Sequence, residues 1–244
     1  MLLRLLKNSD LQGLAPLVSP ALVDVVSVPA VLRRTRQALR QSRSEADAQW
    51  GHLTRTLADV VLVDRVDGRG LADLPEADRH WVGGRILQVY FRQLFADGPT
   101  TLDLRAESWS VAGSELYWSP KAMSVAWDPA FIGAMRSVYR AFYSGDDAGF
   151  VAALGQVDLA QAAPLFREHI GSGDPTAVVF DTNNFVHSFG RIFEHCKEAG
   201  VRLHPDFVLL GAYLGGLYDS LSVLGVPLDV VDAFARSTAE RTAA

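Results

Sequence analysis

Apolar residues along this chain recur mostly at helical intervals. Val82, Ile86, Val89, Tyr90, Leu94 and Phe95 fall three and four residues apart, which predicts a helix over 75–97. Gly98 and Pro99 end it. Ile132, Met135, Val138, Tyr139 and Phe142 form a second stripe, and Asp128-Pro129 offers an N-cap followed by proline in the first turn. Further helices are expected at 29–58, 146–155, 158–170, 183–199, 204–224 and 228–241. Residues 1–20 hold a short amphipathic piece broken by Pro16 and Pro20. Two places depart from the helical period. The compact apolar run Val60-Val61-Leu62-Val63, followed by Asp67-Gly68, predicts a short strand and a turn. The stretch 108–118 predicts two short strands around Ala112-Gly113-Ser114. The expected class is mainly α, with a C-terminal helical bundle joined by short connections.

Length and composition bound this picture without changing it. The 244 residues, 49% hydrophobic, suffice for one or two domains with an ample core. The division expected is an N-terminal helical segment, 1–58, and a larger unit, 59–244. A net charge of −5 argues against nucleic acid as a partner. Arg33, Arg34, Arg36, Arg40 and Arg43 form the one local basic run, read as a solvated helix face. Cys196, the sole cysteine, excludes an intrachain disulfide and a thiolate metal site. The N-terminal MLLRLLKNSD lacks a small-residue cleavage pattern. The most apolar stretch, 207–226, carries Asp219 and reads as a buried helix. These features predict a cytoplasmic protein, with attachment at a membrane periphery as the variant.

Most chemistry-bearing residues have a plain structural reading. His187 and His195 lie eight apart, whereas helical metal ligands pair at three or four. Ser108, Ser110, Ser114 and Ser119 have no G-x-S-x-G setting for a serine nucleophile. Glu168-His169 and Asp181-Thr182-Asn183 read as helix-end chemistry. Gly211, Gly215 and Gly216 permit close approach of another element.

Three segments, in order and with nearly gapless spacing, resemble the UbiB/AarF family of atypical, protein-kinase-like proteins. VVLVDRVDGRGLADL (60–74) is similar to that family's hinge region. ILQVYFRQLFADG (86–98) resembles the helix leading into its catalytic loop. AMSVAWDPAF (122–131) is similar to the segment after its D-F-G, and 141–158 and 193–217 follow the pattern of its C-terminal helices. The resemblance covers roughly 44–240. Aligned without gaps, TTLDLRAESW (100–109) falls on the family's H-A-D-P-H-P-G-N. Thr101 takes the histidine position and Leu102 the alanine position. The aspartate is kept as Asp103, Glu107 stands for the glycine, and Ser108 for the metal-binding asparagine. The D-F-G aspartate position holds Pro120, followed by Lys121 and Ala122. The alanine-rich nucleotide loop, the K-x-G-Q motif and an assignable lysine–glutamate pair are missing.

The resemblance implies a kinase-like C-terminal lobe with a reduced or absent N-terminal lobe. Kinases hold their metals on the D-F-G aspartate and the catalytic-loop asparagine. Proline cannot do this with its side chain and serine does it poorly. The implied protein is therefore a catalytically inactive pseudokinase acting as a binding, regulatory or scaffold subunit. No cofactor or metal is expected. Its implied partners are another protein or a second copy, on apolar surface left by the missing lobe, and the family's metabolism implies proximity to isoprenoid lipid. The alternative is a residual nucleotide-binding enzyme, a weak ATPase or kinase, with Asp103 as base and Glu107 and Ser108 toward a metal. Trp109, Trp118 and Trp127 are expected to be exposed where the family's cleft would lie, and indoles filling that space imply occlusion.

Overall fold

The computed structural model describes residues 20–121, 123–171 and 174–239. The amphipathic piece expected over 1–20 and the end of the last expected helix lie outside this range. Ten α-helices and two small antiparallel sheets are described: α1 (Pro20–Val25), α2 (Val28–Ser44), α3 (Ala46–Leu57), α4 (Glu76–Phe95), β1 (Thr100–Thr101), β2 (Trp109–Ala112), β3 (Glu115–Trp118), β4 (Ser124–Val125), α5 (Pro129–Ser144), α6 (Asp147–Gly155), α7 (Ala163–Gly171), α8 (Thr182–Glu198), α9 (Pro205–Leu224) and α10 (Val230–Thr238). The molecule is mainly helical.

Helix α9 is the axis of the core. It is apolar all round, and its buried residues run almost without interruption from Asp206 to Leu217. A helix buried on every side needs no polar face. By length and composition it is the one described helix able to cross a membrane, but 72% of its most apolar window is buried inside the protein. Around it pack α2, α4 and α8. Tyr213 of α9 stacks on Tyr90 of α4 at 4.9 Å. Its hydroxyl donates to the Tyr90 carbonyl at 3.1 Å and accepts from Gln93 Nε2 at 3.0 Å. Gln93 Oε1 in turn accepts from the Thr101 amide at 2.9 Å. One chain of hydrogen bonds thus joins α9, α4 and β1, leaving no member of this buried network unmatched.

The N-terminal helices belong to the same core. Leu22, Val31, Ala38, Leu53 and Leu57 are buried in one cluster with the rest of the chain. Ser42 Oγ accepts from the Ser124 amide at 2.8 Å, which docks α2 on β4. Arg34 corrects the expectation of a solvated basic face. Its guanidinium grips the fully buried Asp206 with two bonds, Nε to Oδ1 at 2.5 Å and Nη2 to Oδ2 at 3.0 Å, and also donates to the Ala126 carbonyl. Asp206 further accepts from the Asp128 amide at 2.8 Å. A carboxylate this deep requires a paired cation.

Other differences from expectation are local. The helix expected over 29–58 breaks at Glu45 (φ −120°, ψ 20°). Ser42 and Ser44 hydroxyls donate back to the Ala38 and Arg40 carbonyls, competing with the helical ladder just before the break. The strand expected at 60–63 shrinks to one bridging residue, Leu62, against Tyr117, while Val60, Val61 and Val63 turn into the core. The hairpin at 108–118 forms as β2–β3, with Gly113 supplying φ +63° at its turn. The pairing of β1 with β4, Thr100 opposite Val125 and Thr101 opposite Ser124, was not foreseen. The large hydrophobic residues that stay exposed among those described, Val23, Trp50, Leu62, Val151, Val179 and Val223, come one each from six separate segments.

Candidate functional site: the Asp103 loop

Asp103 lies between β1 and a 3-10 turn, Ala106–Ser108, on a loop pressed against α9. Three things hold the loop there. The Ala106 amide donates to Asp219 Oδ2 at 2.9 Å. The Ser220 hydroxyl donates to the Leu104 carbonyl. Gly216 provides the clearance: a Cβ on it would stand 3.2 Å from the Leu104 nitrogen, closer than nearly all real contacts. The small residue at 216 therefore serves loop-on-helix packing.

The Asp103 carboxylate is 7% exposed and fully engaged. Oδ1 accepts from Arg105 Nε at 2.8 Å. Oδ2 accepts from the Ser108 hydroxyl and from the Lys121 amide, both at 2.8 Å. Three of its roughly four acceptor positions face protein donors. Glu107 sits at the mouth, half-exposed, with Lys121 Nζ at 2.7 Å and Arg105 Nη1 at 3.2 Å. The two carboxylates and two cations form a closed circuit: Arg105 bridges Asp103 and Glu107, and Lys121 clasps Glu107 by its ammonium and Asp103 by its backbone. Formal charge within the four side chains cancels.

Two indoles wall this circuit. Trp109 and Trp118 stack at 5.3 Å, 13° from parallel. Trp118 Nε1 donates to the Asp103 carbonyl at 2.9 Å and Trp109 Nε1 to the Leu104 carbonyl at 3.1 Å. Trp127 Nε1 donates to Thr100 Oγ1 at 2.7 Å. The expectation of exposed tryptophans is corrected: Trp109, Trp118 and Trp127 are buried, at 3%, 0% and 9% exposure. Each indole N–H finds a backbone or hydroxyl acceptor, which lets the whole ring go inside.

The structure thus brings Asp103, Glu107 and Ser108 onto one loop, with Ser108 bonded to Asp103 directly and Glu107 joined to it through Arg105. Pro120 passes the chain from Ser119, whose amide donates to the Ser108 carbonyl at 2.9 Å, to Lys121. Sequence reasoning missed Arg105 and Lys121, the two residues that neutralise the loop. Their signal was present, since both occupy motif positions flanking the aspartate, but a cation's partner is set by the fold. Of the other candidates, Asp181 caps α8 by accepting from the Asn184 amide at 2.8 Å, His187 is exposed, and Cys196 is buried with its thiol pushed up to about 11 by burial. Among the described residues, no group of three His, Cys, Asp or Glu side chains could hold a metal ion. No protein-family model matches the chain, and no curated protein matches it either.

Proposed function

We propose that this chain is a catalytically inactive, UbiB/AarF-like pseudokinase that acts as a binding, regulatory or scaffold subunit. The observation that carries this reading is the closed circuit at Asp103. Phosphoryl transfer needs carboxylate and amide oxygens free to hold metal ions against phosphate. Here the retained aspartate accepts hydrogen bonds from Arg105, Ser108 and the Lys121 amide instead. A metal entering this loop displaces two cations, and it must do so beside buried indoles that fill the adjacent space. The internal cations supply the positive charge that metal ions supply in an active relative. The loop therefore keeps its shape without the chemistry, as a binding subunit requires. The partner implied by the resemblance is a protein, a second copy of this chain or a complex near isoprenoid lipid.

A thermal-shift titration with ATP and ADP, with and without Mg²⁺ or Mn²⁺, tests the reading. A ligand at 100 times its dissociation constant adds about 2.7 kcal/mol to the folded state. The expected result is no shift at millimolar nucleotide. A metal-dependent shift that disappears in Asp103→Asn overturns the reading in favour of a nucleotide-binding enzyme. Light scattering across a concentration series reports whether a second copy is the partner.

A further inference from the structure

A cavity of about 370 Å³ opens on the other side of α9. Leu214, Leu217 and Tyr218 line it, whereas Gly216, Asp219 and Ser220 meet the Asp103 loop. At 3.6 residues per turn the two sets lie about half a turn apart. The remaining walls come from α4, α5, α7, α8, α10 and the segment 174–181. Its size falls within the ~300–1,000 Å³ range of small-molecule sites.

The floor is aromatic. His169 stacks near Tyr218 at 6.0 Å, Phe185 packs on Tyr218 at 4.6 Å, and Phe180 meets the same ring edge-on at 5.0 Å. Two phenols are uncommitted. Tyr90, Tyr139 and Tyr213 hydroxyls are hydrogen-bonded, but those of Tyr143 and Tyr218, which also line the cavity, have no partner among the described residues. His169 adds a third free group. Its Nδ1 is 2.8 Å from Ser188 Oγ, and that hydroxyl gives its own proton to the Phe185 carbonyl at 3.0 Å. In that arrangement Ser188 accepts from Nδ1–H. Burial pushes the His169 pKa down to about 4, so the ring is neutral at pH 7 and Nε2 is a bare acceptor.

Charge at the mouth points the same way. Glu168, Asp174 and Asp181 border the cavity, and neither lysine nor arginine lines it. Glu168 is paired with Arg191 at 2.5 Å. Asp174 is held by the Thr176 amide and hydroxyl, and Asp181 by the Asn184 amide. Neither has a cationic partner among the described residues.

We propose that this cavity binds a small organic cation, a primary or secondary ammonium carried on a flat apolar body. Ring faces attract a cation, His169 Nε2 and the two phenol oxygens accept its N–H groups, and Asp174 and Asp181 offer opposite charge at the entrance. An anion of the same shape meets carboxylates and no compensating cation. The inference is independent of the reading of Asp103.

Isothermal titration of the full chain at pH 7 with three matched probes decides it: phenethylamine, phenethyl alcohol and hydrocinnamate. The expected order is ammonium tightest, alcohol at least tenfold weaker, carboxylate weakest. Asp174→Asn, an exposed change, is expected to weaken the ammonium severalfold and leave the alcohol unchanged. His169→Phe, confirmed folded by circular dichroism, is expected to lose the ammonium. Equal binding of the three, preference for the carboxylate, no binding of any probe at millimolar concentration, or an Asp174→Asn protein that binds the ammonium as wild type does would each overturn the proposal.

Discussion

The two faces of α9 handle polar atoms in opposite ways. Toward the Asp103 loop, each carboxylate, indole N–H and hydroxyl is matched to a partner a few residues away or across the helix. Toward the cavity, two phenols and an imidazole nitrogen have no partner among the described residues. Polar groups that complete each other rigidify a region and exclude outside ligands, whereas unmatched ones in a concave space await a ligand or water. Among the described residues, the face retaining a catalytic-looking aspartate thus has the fewer uncommitted polar groups, and the face without a motif has the more.

The comparison can be tested by how much stability each polar or aromatic group contributes. Trp118→Ala is expected to have the largest effect, about 3–5 kcal/mol in urea denaturation, because it empties a fully buried indole site and frees the Asp103 carbonyl. Asp103→Ala is expected to cost about 3 kcal/mol in the same assay, since Arg105 and the Lys121 amide lose their partner. A loss under about 1 kcal/mol for either would break the comparison.

The cavity face predicts an acid sensitivity. The folded-state pKa of His169, about 4, is below the unfolded value of 6.5, so the unfolded chain binds the proton first. This contribution is whole above pH 6.5 and declines as pH falls toward 4, by on the order of 3 kcal/mol. Urea midpoints at pH 7 and 4.5 should separate for wild type and separate less for His169→Phe. Smaller effects complete the series. Tyr213→Phe is expected to cost about 1 kcal/mol, because its hydroxyl serves Gln93 and Tyr90. Tyr218→Phe is expected to stay within about 0.5 kcal/mol, because its hydroxyl has no partner among the described residues. Equal costs for these two tyrosines would erase the contrast between the faces.

Regular periodicity and cap chemistry were legible in the chain. The α4 stripe, the Gly113 hairpin and the Asp128 cap, which accepts from the Ala130 and Phe131 amides at 3.0 Å, need only local information. The β1–β4 pair was not legible, because two residues on each side make no pattern of their own. Arg34 looked solvated because its partner lies 172 positions away. At the candidate site, motif alignment located Asp103, Glu107 and Ser108, but not the circuit that ties them, since Arg105 and Lys121 are read as surface cations until the loop closes. The cavity left no trace in the sequence. Its walls come from six helices and a connecting segment, and its most telling member, His169, sits beside Glu168 in what reads as an ordinary helix end.

The long-range Arg34–Asp206 clasp bears on the order in which the molecule assembles. At about 5–20 residues per second, synthesis of the 172 residues between the partners takes roughly 10–35 s. Throughout that interval α2 lacks the helix it packs on, and the core cannot close before α9 arrives. Contacts of such sequence separation slow folding. The axis helix is therefore made after the helices α2, α4 and α8 that pack on it, and refolding from denaturant should be slow for so helical a protein.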